Sequence, residues 1–348
     1  MAIKALGVYI YGGGFHFGAK KAGVDILAHL EDGPIVNTKV FSHNRPEVKI
    51  EFKPWDLKKY NGVDVVFCNP PCAVWSPIGI SLRKGREAYK TDPRIQCWEN
   101  CVETGLAVKA KYVLIETVPR GITIGKDFIL KKARQMQKDG YWVTLFLHST
   151  LWMGAPQDRR RLFFVASRDR RWTPMDEEWT TDGTVDKALA TVTETMEPLY
   201  KMPPMWKPLW KKQVPRVKGQ DMRSLAHQTG IKPVPMFMHH RLLGDKPMGA
   251  FCGNYYFHPH EPRFLSMPEM RALCGYPADY SFPDSRSLAA CASVFAQAVM
   301  PWAGEWIMRS IQQKKMTKIE DDKQTDVLLY DWRVQKKAPI IFKETVCE

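Results

Sequence analysis

The most reactive pattern in the chain is Val65-Val66-Phe67-Cys68-Asn69-Pro70-Pro71-Cys72, an apolar run that ends in two prolines and a thiol. Prolines stiffen the backbone and present Cys72 from the end of a strand. A cysteine placed there can act as a nucleophile once it is a thiolate in an electropositive, partly exposed setting. Cys68, inside the run, reads instead as a small buried hydrophobe. A second apolar run closes in Leu114-Ile115-Glu116-Thr117-Val118-Pro119 and sets a carboxyl at the same rim, able to serve as an acid or to stay ion-paired. In Gly154-Ala155-Pro156-Gln157-Asp158-Arg159-Arg160-Arg161, the alternate arginines Arg159 and Arg161 fall on one side of an extended chain. They could hold a phosphate, a carboxylate or a base oxygen, or remain solvated.

Near the start, Val8-Tyr9-Ile10-Tyr11-Gly12-Gly13-Gly14 runs from a strand into three glycines. Such a turn lets backbone approach a ligand closely and aims helix N–H groups at it, although a plain glycine turn has the same look. One strand later Glu31 stands at a strand end, where dinucleotide-type folds hold ribose hydroxyls; a solvated loop acid is the alternative. Asp56, after Trp55, could accept from an adenine amino group or simply cap a turn. Cys68 and Cys72, with Cys97 and Cys101, form two C-x3-C pairs. The double proline splits the first, the second lies on a helix and no nearby His completes a set, so no metal is expected.

These residues need a scaffold that brings strand ends together. Short apolar runs at 5–11, 24–30, 63–68, 112–116, 142–147 and 161–165 alternate with helical stretches such as 127–138, which implies an α/β, doubly wound, mostly parallel sheet; a mixed α+β domain is the alternative. Helix is also expected over 15–23, 266–273 and 292–311, and a strand over 327–334. Beyond Arg168, Trp, Pro, Met and Lys become dense through Met202-Pro203-Pro204-Met205-Trp206-Lys207-Pro208, and few regular elements survive so many prolines. This stretch reads as a loop-rich basic module with aromatic side chains beside Lys and Arg, in the style of a nucleic-acid surface.

Composition agrees with a folded globule that has a polyanionic partner. The 348 residues are 45% hydrophobic and 11% aromatic, which excludes a disordered tail protein or a fibrous repeat. With 51 Lys+Arg against 37 Asp+Glu the formal net charge is +14, and nucleic acid comes first among polyanions. No apolar run approaches the ~18 residues that span a bilayer, and no secretory signal is evident. The eight cysteines are scattered rather than paired as in a secreted disulfide framework, so a reducing cytoplasm and no membrane are expected.

Taken in order, these patterns resemble the cytosine-C5 DNA methyltransferase family over nearly the whole chain apart from the middle module and the tail. The segment from Tyr9 through Gly23 is similar to the family's first S-adenosylmethionine motif, and Glu31 and Asp56 to its ribose and adenine carboxylates. Pro70-Pro71-Cys72 resembles the catalytic Pro-Cys motif, Glu116-Thr117-Val118 the Glu-Asn-Val motif, and Gln157, Arg159 and Arg161 the Gln-x-Arg-x-Arg motif. Arg263-Phe264-Leu265-Ser266 with Glu269 and Gly275-Tyr276-Pro277 is similar to a motif near the family's end. Ala296-Gln297-Ala298-Val299 resembles the Gly-Asn-x-Val motif that closes the cofactor site. The chain departs from the family pattern where Tyr9 and Tyr11 replace a Phe and a Gly, and at Ala73, Thr117 and Ala296-Gln297.

The resemblance implies a Rossmann-like methyltransferase fold with a smaller target-recognition domain. Its expected divisions are a catalytic domain at 1–168, a recognition region at 169–260, a return at 261–312 and a basic extension at 313–348. It implies that Cys72 attacks C6 of a cytosine flipped from duplex DNA while Glu116 protonates or hydrogen-bonds N3. Arg161 would contact the base or orient Glu116, and Arg159 would support the site or the target phosphate. S-adenosylmethionine would be held by Tyr9, Gly12, Gly13, Gly14, Glu31, Asp56, Leu57, Pro71, Gln297 and Val299, with Gln157, Ser76 and Thr117 on the substrate side, in a monomer. Alternatives are a modified S-adenosylmethionine donor, an RNA substrate, and a catalytically silent DNA-binding homologue.

Overall fold

A computed structural model describes residues 2–76, 86–175, 180–194, 202, 204–213, 222–230, 240–251, 256–283, 288–313, 323–331 and 339–343. By contact the chain divides into two compact units. The first comprises Met1–Ser149, Arg160–Glu178 and Pro301–Glu348, the second Thr150–Arg159 and Trp179–Met300.

The strands of the first unit are β1 (Lys4–Val8), β2 (Asp25–Glu31), β3 (Ile50–Phe52), β4 (Val65–Cys68), β5 (Tyr112–Thr117) and β6 (Trp142–Ser149). After a two-residue strand of the second unit, β7 (Gln157–Asp158), comes β8 (Arg160–Ser167). The second unit contributes β9 (His240–Arg241), β10 (Met248–Gly249) and β11 (Tyr256–Phe257), and the tail returns to the first unit as β12 (Val327–Asp331) and β13 (Ile340–Phe342). Nine of these form one sheet in the order β13-β12-β6-β8-β5-β4-β1-β2-β3. The run from β3 to β5 is parallel, β8 lies antiparallel between β5 and β6, and β12 adds in parallel to β6. Strand order reverses between β1 and β4, which makes a crevice at the carboxyl edge beside them, the usual ligand position in open α/β sheets.

The strands are nearly continuous in apolar residues because both faces are covered. Leu6, Val8, Val66, Val113, Ile115, Leu145 and Phe164 face one core, with Trp98 and Val102 of one helix (Ile95–Ala107) and Ile129 and Met136 of another (Lys126–Lys138). The alternate residues face aromatic partners on the other side. Phe67 and Phe163 pack on Phe15 of α1 (Gly14–Lys21), and Phe146 stacks on Trp306 of the helix Pro301–Gln312. That helix and α1 touch through glycines: a Cβ on Gly18 would come 2.3 Å from the carbonyl oxygen of Pro301.

Three local expectations are adjusted. β1 ends at Val8 rather than running through 11, because Tyr9 (φ 60°) and Tyr11 (φ 49°) turn left-handed. The helix expected over 292–311 is two helices, Leu288–Gln297 and Pro301–Gln312, with a proline opening the second, where its missing N–H costs nothing. The strand expected over 327–334 is present as β12 to Asp331, and residues 332–334 lie outside the described set. Much of the loop-rich stretch between 195 and 239 also lies outside it.

In the second unit, where the sequence places a return near 261, contacts keep the chain to Met300. The physical tie is Gln157, whose Nε2 donates to the Leu273 carbonyl (3.1 Å) and whose Oε1 accepts from Phe251 N (2.8 Å). The helix Met267–Leu273 opens with a capping box in which Ser266 and Glu269 exchange bonds, while Arg263 grips Glu269 through two nitrogens at 2.8 Å each. The spacing of Arg263, Ser266 and Glu269 is thus the architecture of one helix start. Arg241 stacks 3.9 Å over the Trp210 ring, a cation–π contact within the basic module. No helix among the described residues is long and apolar enough to cross a membrane.

Candidate active site

Cys72 follows β4 at the head of a short 3-10 turn, Cys72–Val74, with Pro71 before it. Its carbonyl accepts from Trp75 N and Ser76 N, both at 3.1 Å, which closes the turn. Trp75 anchors it from behind: the indole is fully buried and packs edge-on against Trp98 (centroids 5.4 Å) and beside Phe128 (5.9 Å). Burial of such a ring contributes about 1.5–3 kcal/mol, enough to hold the turn against local unfolding. Cys72 itself is half-buried, whereas Cys68 is buried in β4 beside Cys101, and Cys97 Sγ points to Asp32. The four cysteines are therefore divided among three environments.

Glu116 is the last but one residue of β5, the neighbour of β4, and is buried. Its Oε2 accepts from Asn69 Nδ2 at 2.9 Å, and its Oε1 lies 2.6 Å from Arg161 Nε on β8. The carboxyl is therefore ion-paired and oriented on two sides by groups from the two strands flanking its own. Thr117, next in β5, is buried with a hydroxyl that has no hydrogen-bond partner among the described residues. A left-out contributor to this cluster is Asn69, whose position between the strand and the double proline is the signal that marks it. Arg94 is another: Asp92 holds its guanidinium through two bonds (2.9 and 2.7 Å), and it lies within the electrostatic reach of Cys72 and Tyr11.

The two motif arginines part company. Arg161 reaches Glu116, but Arg159 is buried in the second unit and donates to the carbonyls of Phe251 (3.0 Å), Ala296 and Ala298 (2.9 Å). Arg159 thereby fixes the chain on either side of Gln297, whose Nε2 bonds Ser293 Oγ (3.0 Å), and close to buried Val299. Gln157, likewise, spends its amide inside that unit.

On the other side of the β1–β4 crevice, Gly12, Gly13 and Gly14 are buried, and Gly13 takes φ 87° as the N-cap of α1 without a side-chain cap. Glu31 ends β2 with Oε1 accepting from Ile10 N (2.5 Å), and burial raises its carboxyl from 4.5 to about 8. Trp55 Nε1 bonds the Glu31 carbonyl (3.0 Å), placing a flat ring beside it. Asp56 is exposed and makes no cap bond to the turn Leu57–Tyr60 that it precedes, which leaves its carboxylate available. Tyr9 hydroxyl accepts from Asn100 (2.6 Å) and donates to Asp32 (3.1 Å), and Asp32 pairs with Lys53 (2.7 Å). A desolvated carboxylate, a flat apolar flank and a glycine turn fit an adenosyl group: the carboxylate suits a ribose diol and the ring an adenine face. Among the described residues no group of three or more His, Cys, Asp or Glu could hold a metal ion.

A mostly parallel, doubly wound sheet with its thiol, carboxyl and guanidinium at the carboxyl edge defines the Rossmann-like methyltransferase fold. The chain belongs to the C-5 cytosine-specific DNA methylase family, whose profile matches residues 8–313. A similar relative is the type II methyltransferase M.XorII of Xanthomonas oryzae pv. oryzae, 26% identical over 226 residues, covering 60% of this chain and 50% of that protein. The chain thus matches about half the length of that relative. Its fold is similar to that of Entamoeba histolytica methyltransferase EhMeth (TM-score 0.65, 13% identity, 89% of this chain and 98% of that one). It is also similar to a Spodoptera frugiperda DNMT2 mutant (TM-score 0.61, 16% identity, 90% and 100%).

Proposed function

We propose that this chain methylates C5 of cytosine in duplex DNA with S-adenosylmethionine as donor, through a covalent adduct on Cys72. The observation that carries the reading is the pairing of Asn69 and Arg161 on Glu116 beside the strand that presents Cys72. C5 of cytosine is a poor nucleophile, so the ring needs both an addition and an acid. A cytosine swung out of the duplex exposes its faces to the crevice. Cys72 thiolate adds to C6, forming the C–S bond and pushing an electron pair toward C5 and N3. Glu116, aimed by Arg161 and Asn69, takes up a proton from solvent and passes it to N3, absorbing the developing charge. When bound, S-adenosylmethionine would supply an electrophilic methyl group: the activated C5 takes the methyl as its bond to sulfur breaks, the electron pair remaining on the sulfur of S-adenosylhomocysteine. Loss of the C5 proton to water then returns an electron pair to the ring and expels Cys72 as thiolate, and the N3 proton goes back to Glu116.

Glu31 would hold the donor ribose, with Asp56, Leu57 and the glycine turn against the adenosyl group. Gln157 and Arg159 support this chemistry as braces of the second unit rather than as base contacts, since their polar atoms bond main chain there. Lys and Arg of the middle module supply phosphate contacts, so affinity falls steeply with salt.

The test is nucleoside mass spectrometry of unmethylated DNA incubated with S-adenosylmethionine and either the wild type or Cys72→Ala. 5-Methylcytosine is expected from the wild type alone. Normal methylation by Cys72→Ala overturns the adduct. DNA that is bound but unmodified by the wild type turns the reading toward a modified donor, an RNA substrate or a silent DNA-binding homologue.

A further inference from the structure

Tyr11 stands at the β1–β4 crevice with no task in either the proposed base chemistry or the hold on the donor. It follows β1, whose neighbours β2 and β4 end in Glu31 and lead to Cys72. Its backbone sits at φ 49°, a left-handed conformation that a bulky side chain keeps only where its surroundings enforce it. Tyr9 shares that strain at φ 60°, but its hydroxyl is tied to Asn100 and Asp32. Tyr11 has no such tie: its ring packs against the core while its hydroxyl bonds no described residue. Burial holds its hydroxyl well above the usual tyrosine range, with Cys72, Glu31, Cys97 and Glu116 within electrostatic reach. Cys72 and Glu116 belong to the base side of the proposed reaction and Glu31 to the donor side. Tyr11 thus leaves the carboxyl end of β1, the strand that lies between donor-side β2 and base-side β4.

We propose that Tyr11 is the residue that limits the size of the transferred group, its ring forming a wall at the junction of donor and base that admits methyl and refuses larger sulfonium substituents. The inference rests on the donor and base sites proposed above. Strain is kept at this position because the wall needs a rigid ring in that place, which a glycine would not supply. An extra carbon in a fitted apolar space changes selectivity by roughly 10–200-fold, which sets the size of the effect to look for.

The experiment compares wild type, Tyr11→Gly, Tyr11→Asn and Tyr11→Phe by calorimetric binding of three ligands: S-adenosylmethionine, its S-allyl analogue, and S-adenosylhomocysteine, which has no substituent to transfer. The wild type is expected to bind the allyl analogue at least about tenfold more weakly than S-adenosylmethionine. Tyr11→Gly and Tyr11→Asn close that gap and transfer allyl to cytosine, Tyr11→Phe keeps it, and S-adenosylhomocysteine binds all four alike. Asn tolerates the left-handed backbone, so Tyr11→Asn carries the test if Tyr11→Gly fails to fold. An allyl-to-methyl ratio that is the same in wild type and folded Tyr11→Asn overturns the wall and leaves the donor reading standing. A wild type that binds neither S-adenosylmethionine nor S-adenosylhomocysteine overturns the donor reading and the wall with it.

Discussion

Glu31 shows how burial retunes a single carboxyl. Raised from 4.5 to about 8 chiefly by desolvation, it carries a proton at neutral pH when no ligand is present. Two ribose hydroxyls donating to it favour the carboxylate, so binding of S-adenosylmethionine is expected to release up to one proton at pH 7 and to tighten as pH rises toward about 8, then level off. Calorimetry in buffers of different ionisation enthalpy reads both effects, and Glu31→Gln removes them; affinity that is flat from about pH 6 to 9 contradicts the assignment. In the ligand-free protein the sign is the opposite. The folded state holds a proton that the unfolded chain gives up, so the contribution of Glu31 to stability is lost as pH climbs from 4.5 through about 8. Where these residues fall was legible in sequence: Glu31 closes a strand, Glu116 stands next to the end of one, Arg161 lies near the start of another and Cys72 follows a fourth. Arg159 and Gln157 were not legible in the same way. Alternation along an extended chain predicts a shared side, but the chain passes from one unit to the other between Arg159 and Arg160, so their partners differ.

At the scale of elements, the pairing of α1 with the helix Pro301–Gln312 positions the glycine turn, because α1 begins where that turn ends. Gly18 is the closest point: a Cβ there would meet the Pro301 carbonyl oxygen at 2.3 Å and Glu305 N at 2.5 Å, both backbone atoms that have little room to move. Gly18→Ala is therefore expected to destabilise the fold by about 1–3 kcal/mol despite the better helix propensity of Ala, and to weaken donor binding by displacing α1. Chemical denaturation measures the first effect, and a wild-type midpoint would refute the close packing. Elements with a strong period were readable, including the six runs of the sheet and the helix over 126–138. The break at Pro301 was harder to see, since the apolar pattern continues across 298–300 and only the proline interrupts it. Tyr9 and Tyr11 misled for a different reason: aromatic residues favour strands, and left-handed backbone leaves no mark on composition.

For the whole molecule, the tail matters as much as the motifs. β12 adds to β6 with Val327 and Leu328 buried, and Arg171 and Gln137 donate to the Asp326 carbonyl from below it. A chain stopped after Gln312 uncovers the edge of β6 and loses four buried side chains, Val327 through Tyr330, worth on the order of 5 kcal/mol. That is a large share of the stability of a typical domain, so the truncated protein is expected to melt early and to self-associate through the bared edge. Light scattering and thermal unfolding at several concentrations check this, and an unchanged melting point would show that β12 is dispensable. A charged tail with a short apolar run revealed a strand but not its berth, because parallel pairing to a distant strand has no local sequence signal.

The contact between Gly18 and Pro301 also sets a timetable for the newborn chain. The first helix leaves the ribosome long before the helix that covers it is made. At roughly 5–20 residues per second that interval is on the order of tens of seconds, during which Phe15 has no lid. A nascent chain with an open aromatic face for so long is a natural client for chaperones, and its dependence on them would be written by the order of its segments rather than by any weakness of the finished fold.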